Sequence, residues 1–236
     1  MTNRVFSPVP FGRQYREGLT VLPRHRHGAA YAALVTRGTY EEAGDAGRFC
    51  VRAGDVLLHT AFEAHVNRYG THGAEVASFE LPEGEEPVQA WMRLADPDAV
   101  LRLAERDVIA ATALLLASLG AVRPRPGDWP EELALAIRHD PCLPLGEWAR
   151  ARGLAPATVS RGFKQVFGVS PHAFRAQMKG RLAWRALLQG REPLATVAMD
   201  AGFSDQAHMT RTVQAVTGLT PGAWRRTGRT DSNSCC

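Results

Sequence analysis

One pattern occurs twice near the carboxy terminus, and it restricts the fold of this chain more than any other feature. The segments 145–154 and 194–203 share a leucine, a pair of inward apolar positions and a turn glycine, at an offset of 49 residues. Farther along, Gly168-Val-Ser-Pro171 is answered by Gly218-Leu-Thr-Pro221 at an offset of 50 residues. Self-similarity at a nearly fixed spacing is typical of a repeated structural unit, so the sequence predicts a duplication.

Each copy predicts a short helix, a glycine turn and a second helix. In the first copy, Leu145, Trp148 and Ala149 recur with helical spacing. Gly153 then supplies the positive φ that ends a helix, and Pro156 suits the first turn of the next one. Two helices joined in this way fit a helix-turn-helix motif, whose second helix enters the major groove of DNA.

The second turn and the segment between the copies complete this pattern. Ser204 is predicted to cap the helix that follows the second turn, with Asp205 placed against the positive end of that helix. Between the copies a helix is expected to run from Pro171 to Gln189, with Gly180 as its one weak point. At about 1.5 Å per residue this helix is roughly 28 Å long, close to the ~34 Å of one DNA turn. The sequence therefore predicts two recognition helices that occupy successive major grooves.

Residues 130–226 resemble the DNA-binding domain of the AraC/XylS family of transcription regulators. The resemblance rests on both turns, on the linker helix, on Arg161 and Arg211, and on the Ala-Gly-Phe-Ser sequence at 201–204. A lone surface arginine is usually solvated, but these two arginines occupy equivalent positions of the repeat, which favours base contact. The resemblance implies the following DNA-facing residues: Ala157, Ser160, Arg161, Lys164, Gln206, Ala207, His208 and Arg211.

The sequence departs from the family pattern at four positions. Ala157 and Ala207 are too small to hydrogen-bond a base edge, although they can touch a thymine methyl group. Val213 and Gln214 replace the aromatic-basic pair of the first copy, so the second copy is expected to pack and hold phosphate less firmly. Four aromatic residues are predicted to lie in the core of this half: Phe163, Phe167, Trp184 and Phe203.

The amino-terminal part predicts many short β-strands. Residues 19–81 contain short β-like runs separated by glycines, among them Gly38, Gly54, Gly70 and Gly73. This pattern is typical of an antiparallel sandwich or small barrel, whose interior is a natural ligand cavity. The predicted fold class is α+β with two domains: an amino-terminal β-barrel or jelly roll with following helices, and a carboxy-terminal all-α domain of two helix-turn-helix motifs joined by a linker helix.

Histidines are concentrated in this predicted barrel. His25 and His27 are two residues apart, which places both imidazoles on one face of a strand. Together with His65 they resemble the metal-binding motifs of the cupins, a jelly-roll family that holds a metal with three histidines and a glutamate. Tyr31 stands in place of that glutamate, and Phe62 replaces the glycine of the second motif.

Three interpretations of these histidines stay open. Neutral imidazoles with an open coordination position can bind Zn²⁺ or Fe²⁺, which makes His25, His27 and His65 candidate metal ligands. The AraC/XylS resemblance implies instead a small organic effector, with no cofactor required, and satisfied structural histidines are the third interpretation. The candidate effector-binding residues are His25, His27, Tyr31, His59 and His65. Glu41, Glu42 and Glu63 are surface charges or residues that orient an imidazole.

Between and after the two domains the pattern changes. A helical segment at 87–121 is expected, because Val108 to Leu119 is apolar almost all round, and it either covers the barrel or forms a dimer contact. The predicted organisation is a cupin-like domain at 1–86, this helical segment at 87–121, a proline-rich linker at 122–129, the DNA-binding domain at 130–226 and a disordered tail at 227–236. The DNA-binding domain is expected to begin at Pro130 and to bury Leu133, Leu135, Ala136 and Ile137.

Charge is divided unevenly between the two domains. Residues 130–229 hold 14 Lys and Arg against 7 Asp and Glu, whereas residues 1–129 hold 14 against 16. A basic half beside a nearly neutral one favours phosphate contact by one domain only. No run approaches the ~20 apolar residues of a membrane helix, and the first ten residues lack a signal-peptide pattern, so a cytoplasmic protein is expected. The four cysteines are too scattered for a disulfide framework.

These features predict a bacterial-type, sequence-specific transcription regulator and not an enzyme. The expected partners are double-stranded DNA and a small-molecule effector. RNA polymerase and a second copy of the chain are further candidates, and no membrane partner is expected. The alternative is a metal-dependent cupin enzyme, of the oxygenase or isomerase type, fused to a DNA-binding domain. Activation and repression both stay open.

Overall fold

The chain forms two compact units that divide between Glu131 and Glu132. The structure, a computed structural model, describes residues 12–82, 89–122 and 127–230. The unit before the boundary is built on a sheet and the unit after it is helical, which confirms the predicted α+β class. None of the helices in the described ranges combines the length and the apolar character needed to cross a membrane.

The described strands of the first unit form one antiparallel sheet. They are β1 (Gly12–Arg16), β2 (Val21–Arg26), β3 (Tyr31–Gly44), β4 (Gly47–Arg52), β5 (Asp55–His59), β6 (Ala64–Glu80), β7 (Trp91–Leu94) and β8 (Leu119–Ala121). The two longest strands, β3 and β6, pair with each other along most of their length. Strands β1 and β2 pair with β6, β4 and β5 pair with β3, and β7 and β8 extend the sheet beyond β5.

Glycines inside β3 and β6 allow these long strands to bend. The sequence predicted strand ends at Gly38, Gly70 and Gly73, and this was wrong, because all three lie within strands. Gly38 has φ +73° and Gly73 has φ +69°. A Cβ on Gly38 would lie 2.0 Å from the carbonyl oxygen of Gly73, and the β3–β6 register shifts on either side of Gly38. The glycines therefore mark bulges and close backbone approach, which the composition alone does not distinguish from turns.

Two helices cover one face of this sheet. They are α1 (Pro97–Ala104) and α2 (Val108–Ala117), capped by Asp96 and Asp107. Leu101 and Leu115 pack with Leu34 and Phe79 of the sheet in one buried cluster. This packing supports the covering role predicted for the segment 87–121. That segment is not purely helical, however, because it also supplies β7 and β8, two strands too short to give a clear alternating pattern.

The opposite face of the sheet is the interior of the barrel-like fold. Its buried cluster includes Tyr31, Val35, Tyr40, Leu57 and Tyr69. Because side chains alternate along a strand, residues two positions apart lie on the same face of the sheet. A buried histidine two residues from one of these core side chains therefore points into the same interior.

The second unit consists of seven helices in the described residues. They are α3 (Trp129–His139), which begins in the boundary region, α4 (Leu145–Ala151), α5 (Pro156–Phe167), α6 (Pro171–Gln189), α7 (Leu194–Asp200), α8 (Gln206–Thr217) and α9 (Pro221–Thr230). In α3, Leu133 and Ile137 are buried as predicted, but Leu135 is 49% exposed and Ala134 takes its place in the core. The reason is helical geometry: positions 133, 134 and 137 share a face that 135 does not.

The structure confirms the duplicated motif. Gly153 and Gly202, at φ +64° and +75°, end α4 and α7 at equivalent points, and left-handed Gly168 and Gly218 end α5 and α8. The hydroxyls of Ser170 and Thr220 cap the helices that follow, each accepting from a backbone N–H at 3.3 Å. All four predicted core aromatics are buried: Phe163, Phe167, Trp184 and Phe203.

Two expected helix ends differ from the structure. Asp205 caps α8, where its carboxylate accepts from the backbone N–H of His208 at 2.7 Å, so the prediction that Ser204 is the cap was wrong. An ionised carboxylate is favoured there because it faces the positive end of the helix. The tail predicted for 227–236 was wrong at 227–230, because α9 continues to Thr230. Residues 231–236 lie outside the described ranges, as do 123–126 of the predicted linker.

The two turn glycines differ in their surroundings, which predicts unequal effects of substitution. A Cβ on Gly153 would meet nothing within 4 Å, whereas a Cβ on Gly202 would lie 2.5 Å from Cys142 Sγ. Gly153→Ala should therefore cost only the left-handed strain, about 1–2 kcal/mol. Gly202→Ala should cost more, as measured by urea unfolding of the full chain. Equal losses would show that Cys142 moves aside freely.

Candidate nucleic-acid interface and buried histidine cluster

The residues predicted to face DNA lie on the open faces of α5 and α8. On α5, Val159, Phe163 and Phe167 are buried, and on α8, Met209 and Val213 are buried. These inward residues repeat at spacings of three to four, so the rest of each helix faces outward. All eight predicted positions are exposed: Ala157, Ser160, Arg161, Lys164, Gln206, Ala207, His208 and Arg211.

Helix α6 holds both helix-turn-helix units through polar contacts that the sequence analysis missed. Arg175 donates to the carbonyl oxygen of Leu143, at the entrance to α4, at 3.1 Å. One turn later Lys179 donates to the carbonyl oxygen of Gly202, in the second turn, at 2.6 Å. Both side chains are cations, and no feature of the sequence distinguishes them from solvated surface cations.

Gly180 is a close-packing site between α6 and α8. A Cβ at this position would lie 3.0 Å from the side-chain methyl groups of Thr212 and Val216. Gly180, the predicted weak point of the helix, thus has a second role that the sequence did not show. The missing side chain lets α8 approach α6 closely, so the glycine helps to fix where α8 lies.

Part of the basic character of this unit serves the fold. The guanidinium of Arg152 lies 4.0 Å from the ring centroid of Trp148 and forms an ion pair with Glu132 at 3.2 Å. The guanidinium of Arg225 donates to the carbonyl oxygen of Glu192. Net charge therefore overstates the number of cations available to phosphate, whereas Arg161 and Arg211 stay on exposed faces.

The strand register of the first unit gathers its histidines. His25 of β2 is paired with His65 of β6, and Tyr31 of β3 is paired with His59 of β5. The turn between β5 and β6 is tied to the first motif because the N–H of Phe62 donates to the carbonyl oxygen of His27 at 2.9 Å. Antiparallel pairing thus brings together imidazoles that are up to 40 residues apart in the sequence.

These side chains form one buried aromatic and polar cluster. The ring centroids of His25 and His65 are 4.3 Å apart, and those of His59 and His65 are 4.7 Å apart. Tyr31 stacks on His59 at 4.4 Å, and the Tyr31 hydroxyl lies 3.4 Å from His65 Nε2. All five predicted effector-binding residues, including His27, are therefore brought together, and His59, His65 and Tyr31 are buried.

Two buried carboxylates enter the same cluster. Glu42 Oε1 lies 3.6 Å from His59 Nε2, and Glu63 Oε1 lies 3.5 Å from His59 Nδ1. Asn67 donates to the other oxygen of Glu42 at 3.0 Å, and Thr60 donates to the other oxygen of Glu63 at 3.1 Å. The sequence left the role of these acids open between surface charge and support for an imidazole. The structure places both inside, whereas Glu41 pairs with Arg residues in a half-buried network.

Burial and mutual proximity shift the pKa values of the cluster. Burial raises the pKa of Glu42 to about 7, although nearby His59 opposes the shift. Burial also lowers the pKa of His59, but Glu42 and Glu63 outweigh it and raise that pKa above its ordinary value. The pKa of His65 falls well below the ordinary range because of burial and the neighbouring histidines. Burial lowers the pKa of His25 to about 4, so this imidazole is neutral at physiological pH.

Two sets of ligand atoms in this cluster satisfy the spacing of a metal site. One consists of His25, His27 and His65, the three residues predicted from the cupin resemblance. The other consists of Glu42, His59 and His65. Within each set, one ligand atom per residue lies within 4.8 Å of the others. Histidine nitrogens with or without one carboxylate suit Zn²⁺ and Fe²⁺.

Comparison with known proteins bears on the helical unit. A family model described as a helix-turn-helix domain matches residues 148–227. The virulence regulon transcriptional activator VirF of Yersinia enterocolitica is 32% identical over 104 residues, which is 43% of this chain and 38% of VirF. The arabinose operon regulatory protein of Escherichia coli is 33% identical over 72 residues, 30% of this chain and 25% of that protein. The carboxy-terminal unit contains a helix-turn-helix domain that is similar to part of these two regulators.

The matched part of this chain spans 38% of the length of VirF and 25% of the length of the arabinose operon regulatory protein. The crystal structure of ToxT from Vibrio cholerae aligns with 91% of this chain and 98% of its own, at 5% identity and a TM-score of 0.42. The helix-turn-helix family model begins at Trp148 and thus includes both turns, α5, α6 and α8.

Proposed function

We propose that this protein is a sequence-specific DNA-binding transcription regulator that responds to an occupant of its barrel. The observation that carries this proposal is the duplicated helix-turn-helix, which exposes Arg161 and Arg211 at equivalent points of two helices. The regulators VirF and the arabinose operon protein share this domain, which supports a regulatory role over an enzymatic one.

Base reading is expected to depend on the two equivalent arginines. Arg161→Ala and Arg211→Ala should each lose about 1–3 kcal/mol of preference at one base position, because an arginine can bond two acceptors of a guanine in the major groove. The measurement is a selection from randomised duplexes at fixed salt with the full chain, followed by affinities for the selected site and for its single-base variants.

Lys164→Ala provides the matched control, since Lys164 is also exposed on α5. Removal of a phosphate contact should weaken all sequences alike and reduce the salt dependence of binding by about one ion. Equal losses on selected and random DNA for the arginine variants would remove both arginines from the base-reading set. Failure of the wild-type chain to select any sequence would overturn the proposed function.

The buried cluster supports a sensing role for the barrel. A ligand can shift a regulator only if it prefers one arrangement of the protein over another. Tyr31, His27 and the partly accessible His25 are proposed to contact that ligand, and no resident cofactor is needed for DNA binding. The test compares the DNA affinity of the protein with a filled and an empty barrel, across a screen of metabolites and metal ions. Identical affinities would overturn the sensing role and leave the DNA-binding role in place.

Two further partners belong to this proposal. Ile109 on α2 is 84% exposed, which supports a contact between two copies of the chain, as the symmetric sites of many regulators require. VirF is named a transcriptional activator, which supports RNA polymerase as a partner of this protein also. Sedimentation of the chain with and without its selected DNA site tests the first of these.

A further inference from the structure

We propose that Glu42, His59 and His65 hold one divalent transition-metal ion inside the barrel. This set differs from the three-histidine set that the cupin resemblance implies, because Glu42 and His59 stand outside the matched motif positions. The ion would lie beside the effector that His25, His27 and Tyr31 are proposed to contact, as a second component of the sensor, so its biological meaning rests on the proposed function. Metal binding itself is independent of DNA.

The distance between His59 and Glu42 fits a shared ion better than a direct hydrogen bond. The gap of 3.6 Å between His59 Nε2 and Glu42 Oε1 is long for a charge-assisted hydrogen bond, which is typically about 2.7–2.9 Å. Two ligands bound to one tetrahedral ion at about 2.0–2.2 Å are separated by roughly 3.4 Å. The observed gap is close to that value.

Unpartnered nitrogen atoms supply a second, independent observation. His59 Nε2 and His65 Nδ1, the two nitrogens that would bind the ion, have no hydrogen-bond partner, although both atoms are buried. The side chain of His59 is only 3% exposed. Buried polar atoms nearly always find a partner, and an ion is one way to satisfy such atoms.

The surrounding residues hold each ligand in the orientation that a metal requires. Asn67 binds one oxygen of Glu42 and leaves the other facing His59. Glu63 Oε1 lies 3.5 Å from His59 Nδ1, and the Tyr31 hydroxyl lies 3.4 Å from His65 Nε2, so we assign His59 Nε2 and His65 Nδ1 to the ion. An imidazole that binds metal through one nitrogen commonly has its other nitrogen directed at a carboxylate or another polar group.

The donor types also favour this set. Glu42 brings a buried carboxylate oxygen to the site, and His59 and His65 bring two buried imidazoles. The three-histidine set has no carboxylate among its ligands, and His25 is only half-buried. Two imidazoles and a carboxylate leave coordination positions open for a further small ligand.

The test is titration of the chelator-treated full chain with Co²⁺, followed by visible absorption, and with Zn²⁺, followed by calorimetry. Wild type should bind one ion. Glu42→Gln and His59→Gln should each lose more than about 100-fold in affinity, because even outer partners of a metal ligand are worth roughly 10–100-fold. Glu63→Gln should fall within that 10–100-fold range, as a positioning residue.

The matched control is the double variant His25→Gln/His27→Gln, which should keep one ion at unchanged affinity. Loss of binding in this double variant, with normal binding by Glu42→Gln and His59→Gln, would assign the metal to the three-histidine set and overturn the proposal. Absence of stoichiometric binding by wild type would also overturn the proposal. His59 would then simply form a buried ion pair with Glu42 and Glu63. If Glu42→Gln and His59→Gln do not fold, as judged by circular dichroism, the double variant is the test. Binding of one ion by the double variant supports the proposal, and loss of binding overturns it. None of these results depends on DNA selection, so the proposed function stands or falls separately.

Discussion

Phe163→Ala is expected to abolish DNA binding at physiological temperature while the barrel stays folded. Phe163 is completely buried in α5, where its ring stacks on Phe167 at 4.6 Å and meets Phe174 of α6 edge-on at 5.3 Å. Removing a buried phenyl ring costs about 3–5 kcal/mol, since both transfer energy and contacts around the cavity are lost. That is a large fraction of the ~5–15 kcal/mol that holds a typical domain together.

The aromatic cluster lies entirely in the carboxy-terminal unit, so the loss should be local. Hydrogen exchange resolved by peptide should show lower protection in α5 and α6 and unchanged protection in β3 and β6. Leu182→Ala on α6, at a site 43% exposed, is the control and should stay within about 0.5 kcal/mol of wild type. Unchanged protection of α5 in Phe163→Ala would mean that the cluster does not stabilise the first recognition helix.

The helical unit could be predicted closely because its information is local. The bounds of α6, from Pro171 to Gln189, agree with the sequence prediction residue for residue, since a capping serine and a proline mark its start. What the sequence did not show are interactions between helices. The bonds from Arg175 and Lys179 to backbone carbonyls, and the contact of Gly180 with α8, depend on which helices meet.

The barrel was harder to predict because its contacts are distant in sequence. The fold class and the histidine cluster follow from strand alternation and motif spacing, but β3 and β6 are far longer than the predicted runs. Glu42 shows what could not be predicted. The charged residues nearby in the sequence, Glu41 and Arg48, suggest an exposed surface, whereas the alternation from Tyr40 places Glu42 inside. Only pairing of β3 with β6 shows that Glu42 lies opposite Asn67 and within reach of His59.

Asp45→Asn should be among the most destabilising single changes in the barrel. Asp45, at the β3–β4 turn, forms an ion pair with Arg24, and both side chains are buried at 1% and 7% exposure. Its second carboxylate oxygen accepts from the backbone N–H of Ala64 at 3.0 Å, next to His65. Removing one charge of a buried pair leaves the other uncompensated, which costs about 3–5 kcal/mol.

Asp55→Asn is the matched control. It shows how much stability is lost when a buried carboxylate is removed but its arginine partner can reach water. Asp55 is equally buried, but its partner Arg93 is 43% exposed and can turn its guanidinium into water. Both asparagine variants keep an oxygen that can accept from the backbone, at Ala64 N–H and Arg52 N–H respectively. Urea unfolding followed by hydrogen exchange of β3 and β6 should therefore show the larger loss for Asp45→Asn. A loss of the same size for Asp55→Asn would mean that the backbone hydrogen bonds, and not the buried guanidinium, determine the cost.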